Sequence, residues 1–340
     1  MELSTPTINF DFVSSKDDWP SMIDTILDRT VQERARGALV GLAIGDALGA
    51  PVEFKDRDSF PEVREMLAGG YFKLPAGAWT DDTAMALCLA DSLIHDSDLG
   101  PKDLLDRFLG WIYENENTST GQCIGVGQNT FAVLGNYRRT GALTAPPVKG
   151  RSDGNGALMR LAPVACRHWA DPKKARLIAR SQSYTTHASE LSAAACEAVA
   201  AILCDLIAGQ SWQDALTNVT TNSWPEEINK ILAGSWKRPR NDILSSGYVV
   251  HTLEAALWAV GNTLSFEEAL VAAVNLGHDA DTVGAVAGQL AGARYGIRAI
   301  PTRWSDLLID CDIIDSRARD LVSASIRLDI PSPPSPAIVR

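Results

Sequence analysis

Two short acidic clusters stand where helices begin. The first is Trp79-Thr80-Asp81-Asp82-Thr83, followed by the apolar run AMALCLADSL. The second is Gly277-His278-Asp279-Ala280-Asp281-Thr282, followed by a stretch of small residues. Each has a local reading: Thr80 suits a helix N-cap, and carboxylates in a first turn meet the positive end of the helix dipole. Two adjacent acids flanked by threonines exceed what a cap requires, and the second cluster repeats the pattern. Hard oxygen ligands of this kind suit Mg²⁺, Mn²⁺ or Ca²⁺. Carboxylates that open apolar helices need compensation for lost hydration. A pair of divalent cations bridged by aspartates supplies it, and activates a water between them.

Three further segments carry candidate groups. In GDALGAPVE, residues 45–53, Pro51 ends a helix and leaves Glu53 in a loop, either as an exposed acid or as a carboxylate over a metal cleft. The segment 121–130, GQCIGVGQNT, is a glycine-rich turn before an apolar helix, where backbone N–H groups can cradle phosphate. Asp153-Gly154-Asn155-Gly156 marks a tight turn that offers the Asn155 amide to a ligand hydroxyl. His278-Asp279, with His251 upstream, invites comparison with the all-α HD phosphohydrolases, but that reading leaves Thr80-Asp81-Asp82 unexplained. An aspartate-rich prenyl-diphosphate site wants a third acid after two spacers, and Asp81-Asp82-Thr83-Ala84-Met85 lacks it.

The elements that must position these groups read as helices. Gly37, Gly41, Gly45 and Gly49 fall every fourth residue, as do Gly284, Gly288, Gly292 and Gly296, which places each set along one helix face. Glycine inside a helix costs about 1 kcal/mol. Close approach of another helix repays it, so two buried helices are expected to pack tightly, the simplest partners being each other. Leu104–Ile112, Leu191–Leu206 with Ser189 as N-cap, and Leu253–Val260 mark amphipathic helices. Sustained alternation is scarce, so the predicted fold is all-α: a single multi-helix domain over 31–325, preceded by an arm and lead-in over 1–30 and followed by a Pro-rich tail over 326–340.

Composition bounds the rest. The chain has 340 residues, 31 Lys+Arg against 42 Asp+Glu, and a net charge of −11. An acidic surface repels phosphate backbones and anionic lipid, which argues against nucleic acid and membrane as partners. No run approaches 18 apolar residues, so no membrane span is expected. The six cysteines form no CxxC pair, which suggests reduced thiols and, with no export signal in MELSTPTINFDF, a cytoplasmic protein.

Taken in order, GALVGLAIGDALGAPVEF, WTDDTAMALCLADSL, DGNGALMR, SYTTHASELSAAACEAV, SGYVVHTLEAALWAV and DADTVGAVAGQLAGARYG resemble the ADP-ribosylglycohydrolase family over residues 31 to 325. The resemblance implies an all-α domain with a two-metal cleft holding two Mg²⁺, or Mn²⁺ instead. It implies Thr80, Asp81, Asp82, Asp279, Asp281 and Thr282 as ligands. Glu53, Asp82 and Asp279 would be catalytic, the aspartates orienting a water and Glu53 lying beside the reacting ribose. Gly125 and Gly127 match the diphosphate loop, Asn155 and Gly156 an ADP-ribose contact, His187 a cleft histidine, and Tyr248 an aromatic beside the nucleoside. His278 stands where the family pattern has glycine, and is expected to narrow the cleft.

The implied activity is removal of ADP-ribose from modified protein side chains, with arginine as the expected acceptor. A second reading starts from residues 1–30, which hold six acids and the aromatics Phe10, Phe12 and Trp19. Such an arm suits plugging the cleft of a cognate ADP-ribosyltransferase toxin, which would make the chain an immunity protein, with or without hydrolysis. A third is a hydrolase of another ADP-ribose adduct, or a binder without catalysis. The full ligand set argues against the latter.

Overall fold

The computed structural model describes residues 19–146 and 153–326, and over these the chain forms fourteen α-helices. They are α1 (Trp19–Gly49), α2 (Asp81–His95), α3 (Pro101–Glu114), α4 (Gln128–Thr140), α5 (Ala162–His168), α6 (Pro172–Thr186) and α7 (Glu190–Ile207). There follow α8 (Trp212–Thr220), α9 (Glu226–Leu232), α10 (Val249–Gly261), α11 (Phe266–Val274), α12 (Ala280–Tyr295), α13 (Thr302–Ser305) and α14 (Cys311–Ile326). Among the described residues there is no β-strand, only isolated antiparallel bridges at Gly69–Leu74 and Gly154–Tyr248. Residues 1–18 of the expected arm and lead-in over 1–30, and the tail beyond 326, lie outside the described residues. Helix α1 runs unbroken across residue 30, where the sequence reading divided lead-in from domain.

The two glycine-spaced helices lie against each other, antiparallel and in register. Gly37 faces Gly292, Gly41 faces Gly288, Gly45 faces Gly284, and Gly49 faces Ala280. A Cβ on Gly41 would stand 2.4 Å from the Gly288 carbonyl oxygen, and one on Gly284 would stand 2.4 Å from that of Gly45. The axes are therefore as close as backbone allows, which explains why the sequence accepts poor helix formers here. Helices α2, α5, α7, α11 and α14 pack around α1, and α7, α10 and α11 around α12. Helix α3 lies on α2, and α6 lies on α7.

One expectation needs correction. The segment Arg29–Val52 is long and apolar enough to cross a membrane. Its most apolar window is 94% buried within the fold, so the apolarity serves contact with α12 and its neighbours. Pro51 acts as expected: α1 stops at Gly49, a single 3₁₀ turn spans Ala50–Val52, and the chain leaves it at Glu53. Ser189 caps α7, its side chain accepting from the Ser192 N–H.

Adding a methyl group at this contact should cost stability out of proportion to its size. Gly284→Ala is expected to destabilise by about 3 kcal/mol or to prevent folding. Gly135→Ala, in α4 with no atom near its missing side chain, should gain up to about 1 kcal/mol. Urea denaturation of both variants checks this; equal effects would contradict the packing account.

Candidate functional site

The close pairing of α1 and α12 brings the end of one and the start of the other to the same place. Asp46, in the last turn of α1, lies beside the first turn of α2 and the first turn of α12. Asp46, Asp82 and Asp281 are all buried, and one carboxylate oxygen from each falls within 4.8 Å of the others. Glu53, Asp279 and Asp281 form a second group of the same size, so Asp281 belongs to both. Among the described residues, none of Asp46, Glu53, Asp81, Asp82, Asp279 and Asp281 has an ion-pair partner.

Asp46 was not among the candidates read from the sequence. Its carboxylate accepts from the Thr80 N–H at 3.0 Å, the Thr80 hydroxyl at 2.9 Å, the Thr83 N–H at 3.0 Å and the Thr83 hydroxyl at 2.6 Å. It therefore caps α2 from across the fold. Thr80 occupies the N-cap position but makes no side-chain cap bond; its hydroxyl is turned to Asp46 and Asp82 instead. An aspartate inside an apolar helix was the available signal, because a buried carboxylate must find donors.

Burial raises every acid in the cluster above the usual carboxylate range, and mutual repulsion adds to it at Glu53, Asp81, Asp82 and Asp281. Glu53 is pushed up to about 10 by burial, then by Asp281, Asp81 and Asp279. Asp46 rises to about 6 through burial, its four donors limiting the shift. Asp81, Asp82 and Asp281 lie well above the ordinary value, and Asp279 above it, with burial the largest cause in each. Two carboxylate oxygens, Asp82 Oδ1 and Glu53 Oε2, are buried with no hydrogen-bond partner. Six crowded acids, two orphaned oxygens and flanking hydroxyls of Thr80 and Thr282 are the donor set of a hard divalent cation, and the residues fit one.

Above the cluster opens a cleft of about 550 Å³. Its lining includes Glu53, Asp81, Gly125, Gly127, Asn155, Gly156, His187, Asp279, Asp281 and Thr282. Asp82 and Thr80 lie buried beneath these. Larger grooves of about 730 and 880 Å³ occur elsewhere, but neither borders this cluster. Along one wall, Gly125 (φ +83°) lays its backbone on Asp81: a Cβ there would be 2.3 Å from Asp81 Oδ1. Gly127 then occupies the N-cap position of α4 with no side-chain cap bond, so the first-turn N–H groups of α4 face the cleft. Asn155 donates to Asp279 Oδ2 at 2.5 Å and to the Thr252 hydroxyl at 2.8 Å, which fixes its amide.

His187 is set by a neighbour that sequence reading did not single out. Arg160 is wholly buried with no carboxylate partner, and donates to Gln182 Oε1 at 2.8 Å and to the Thr186 hydroxyl at 2.9 Å. The Thr186 hydroxyl, which accepts from Arg160, lies 2.9 Å from His187 Nδ1, and donation of its proton there leaves the ring proton on Nε2. Burial, and secondarily Arg160, lower His187 to about 3. In that tautomer the ring is a neutral Nε2–H donor; it lies against Gly154 and Gly156, where a Cβ on either would be 3.2 Å from Nε2.

Two residues are placed differently from expectation. Tyr248 does not line the cleft. Val249 N–H bonds to the Asp153 carbonyl, and the Tyr248 ring packs edge-on against His251 at 5.0 Å, at the cleft's flank. His278 does not narrow the cleft either. Its φ of +57° is a left-handed conformation that suits glycine, and its half-exposed ring stands beside Asp56 at 3.8 Å. With His278 and His251 both outside the acid cluster, the HD-type arrangement falls away. Burial, and secondarily Asp81, push the Cys123 thiol up to about 11.

A sequence model described as ADP-ribosylglycohydrolase matches residues 27–329. The chain is 39% identical over 309 residues to "ADP-ribosylarginine hydrolase Tri1" of Serratia proteamaculans, covering 91% of this chain and 84% of that protein. It is 34% identical over 279 residues to "ADP-ribosyl-[dinitrogen reductase] glycohydrolase" of Rhodospirillum rubrum, covering 81% and 90%. A solved structure titled "ADP-ribosylglycohydrolase-related protein complex" superposes with a TM-score of 0.78 at 40% identity, over 87% of this chain and 99% of that one.

Two outcomes follow. Folded carboxyls with raised pKa hold protons that the unfolded chain, titrating near 4, releases, so cation-free stability falls as pH rises. His168 and His187, lowered to about 4 and about 3, act oppositely only below about pH 6.5. The buried thiols join only above about pH 8.5. Between pH 7 and 8 in EDTA, chemical denaturation should show a loss of about 1 kcal/mol, which millimolar Mg²⁺ abolishes; a rise with pH would refute the cluster's electrostatics. Thr186→Val should release the His187 tautomer, seen as mixed ¹⁵N ring shifts, while Thr186→Ser keeps the Nε2–H form. Wild-type shifts in Thr186→Val would overturn the relay.

Proposed function

The chain belongs to the ADP-ribosylglycohydrolase family, and on that premise we propose that it hydrolyses the bond between ADP-ribose and an arginine side chain of a modified protein. The observation that carries this reading is the pair of acid triads that share Asp281, with Asp81 beside them, set below an open cleft whose other wall is a helix N-terminus. The names of two relatives, an arginine hydrolase and a dinitrogen-reductase glycohydrolase, support the reaction class and the acceptor. The six unpaired cysteines suit a reducing compartment, in keeping with a cytoplasmic site of action.

Two divalent cations, Mg²⁺ or Mn²⁺, would be held by Thr80, Asp81, Asp82, Asp279, Asp281 and Thr282, with Asp46 and Glu53 completing the acid set. Bound there, they would neutralise the carboxylates and act as Lewis acids toward ribose hydroxyls and a water. The remaining roles fall to side chains. The α4 N-terminus and the backbone around Gly125 and Gly127 bind the diphosphate. Asn155 and the His187 Nε2–H donate to ribose or phosphate oxygens over Gly156. Asp279 Oδ1, its other oxygen tied to Asn155, accepts from the attacking water, while Asp82 holds the cluster from beneath. As water adds to the anomeric carbon, the C–N bond breaks with its electron pair on the guanidine nitrogen. Glu53, which lines the cleft, is the group that passes a proton to that nitrogen. The toxin-binding reading depends on residues 1–18, outside the described residues, and no specific observation favours it.

The test is release of free ADP-ribose from arginine-ADP-ribosylated protein, with Mg²⁺ and with EDTA. Release should require the cation, and Asp281→Asn should lower kcat by about 100-fold or more. The metal-free variant should be at least as stable as wild type, because it removes a buried acid with a raised pKa. Faster release from serine-linked substrate would overturn the acceptor, and undiminished release in EDTA would overturn the metal site.

A further inference from the structure

The cleft has a second wall that the reading above does not use. Immediately after Glu53 the chain places Phe54 at φ +64°, a left-handed conformation that a bulky residue adopts only under strain. Its ring is 62% exposed, and that of Tyr71 is 71% exposed. Phe72 lies half-buried between them and the small apolar cluster of Ala50, Leu74 and Ala78. Phe54 meets Tyr71 edge-on at 5.2 Å, and Tyr71 meets Phe72 edge-on at 5.1 Å. All three line the cleft that also holds Glu53, Asp81, Asp279 and Asp281.

The backbone that carries these rings is held on both sides. The Phe54 N–H donates to the His278 carbonyl at 2.7 Å, and the His278 N–H donates to the Lys55 carbonyl at 2.7 Å. The Tyr71–Phe72 turn is closed by paired bonds between Gly69 and Leu74, at 2.8 and 2.9 Å, and Gly70 packs against Ala50. An exposed aromatic patch on rigid backbone at a cleft mouth marks a binding surface rather than a folding need. Its electrostatics select the ligand. No lysine or arginine lines the cleft, four carboxylates do, and aromatic faces attract flat delocalised cations.

We propose that Phe54, Tyr71 and Phe72 form the acceptor subsite, where the guanidinium of the modified arginine stacks against aromatic faces while the anomeric carbon lies over Asp279 and Glu53. This rests on the hydrolase reading and deepens it: the rings choose arginine over neutral, smaller acceptors. Phe54 is a specificity-determining residue, adjacent in sequence to the acid that meets the leaving nitrogen. Cation–π stacking of about 0.5–2 kcal/mol converts to about 2- to 30-fold in substrate affinity.

The test uses full-length protein with Mg²⁺ and compares Phe54→Leu and Tyr71→Leu, which keep apolar bulk but remove the π face, with Phe54→Trp, which restores it. Two quantities are read: KM for an ADP-ribosyl-arginine peptide, and the inhibition constant of free ADP-ribose, which lacks the acceptor. The leucine variants should raise KM within the 2- to 30-fold range and leave the ADP-ribose constant unchanged, while Phe54→Trp keeps a wild-type KM. Equal changes in both constants, or none in either, would overturn the subsite. Should wild-type protein release no ADP-ribose from arginine, the hydrolase reading falls first. Equilibrium binding of the same peptide then decides the subsite, and an unchanged Kd in Phe54→Leu overturns it.

Discussion

Backbone-to-backbone contact between α1 and α12 is the constraint on which the rest of the molecule depends. The two helices run antiparallel, and their glycine faces match from Gly37–Gly292 to Gly49–Ala280. That register ends where chemistry begins. Asp46 follows Gly45 by one residue, Asp281 precedes Gly284 by three, and both aspartates enter the same buried triad with Asp82. A side chain anywhere along the seam would push the axes apart and separate the two carboxylates. The geometry of the acid cluster is therefore set by the absence of Cβ atoms up to about three turns away. The same seam explains why α1 carries a membrane-like apolar composition inside the fold.

The constraint opposes ordinary electrostatics. Concentrating six acids at buried helix ends is unfavourable, and the fold offsets only part of it. The N-termini of α2 and α12 both direct positive dipole ends at the cluster. Asp46 draws four donors from Thr80 and Thr83, and Asn155 holds one oxygen of Asp279. What the protein leaves unpaired, Asp82 Oδ1 and Glu53 Oε2, borders the place where a cation and substrate would meet. Stability is thus withheld at the point where binding supplies it, which is a common arrangement for functional sites.

Much of this was legible from residue types because their spacing matched a helix period. Glycine every fourth residue in two segments announced a face-to-face contact, and the two acid–threonine clusters announced a shared site. Asp46 escaped notice because it sits within the apolar run that the glycines explained, and its role appears only when α2 is brought to it. Thr80 looked like a local cap because sequence spacing shows neighbours along the chain and not donors across it. His278 looked like an obstruction, since a residue name carries no φ: the left-handed backbone that favours glycine there turns the ring toward Asp56 and away from the cleft. The aromatic rim escaped for the same reason, Phe54 and Tyr71 being 17 positions apart and joined only by the turn at Gly69–Leu74.

The loop carrying Glu53 shows how rigidity extends from the seam to the reacting groups. Arg57, four residues on, spends its guanidinium on backbone carbonyls alone: Leu276 at 3.1 Å, Arg240 at 2.7 Å, and Ile243. Gly277, at φ +70°, lies so close that a Cβ would stand 2.7 Å from the Lys55 carbonyl oxygen. The paired bonds between residues 54–55 and His278 complete the latch. Glu53 and Asp279 therefore belong to one frame, the first just after α1 and the second at the start of α12, and the seam that sets the buried aspartates also sets the acid above them. A carboxylate held in this way loses little conformational freedom when substrate enters, so binding free energy can go to orienting the glycosidic bond. Phe54, whose N–H belongs to the same latch, shares that backbone frame at the cleft wall.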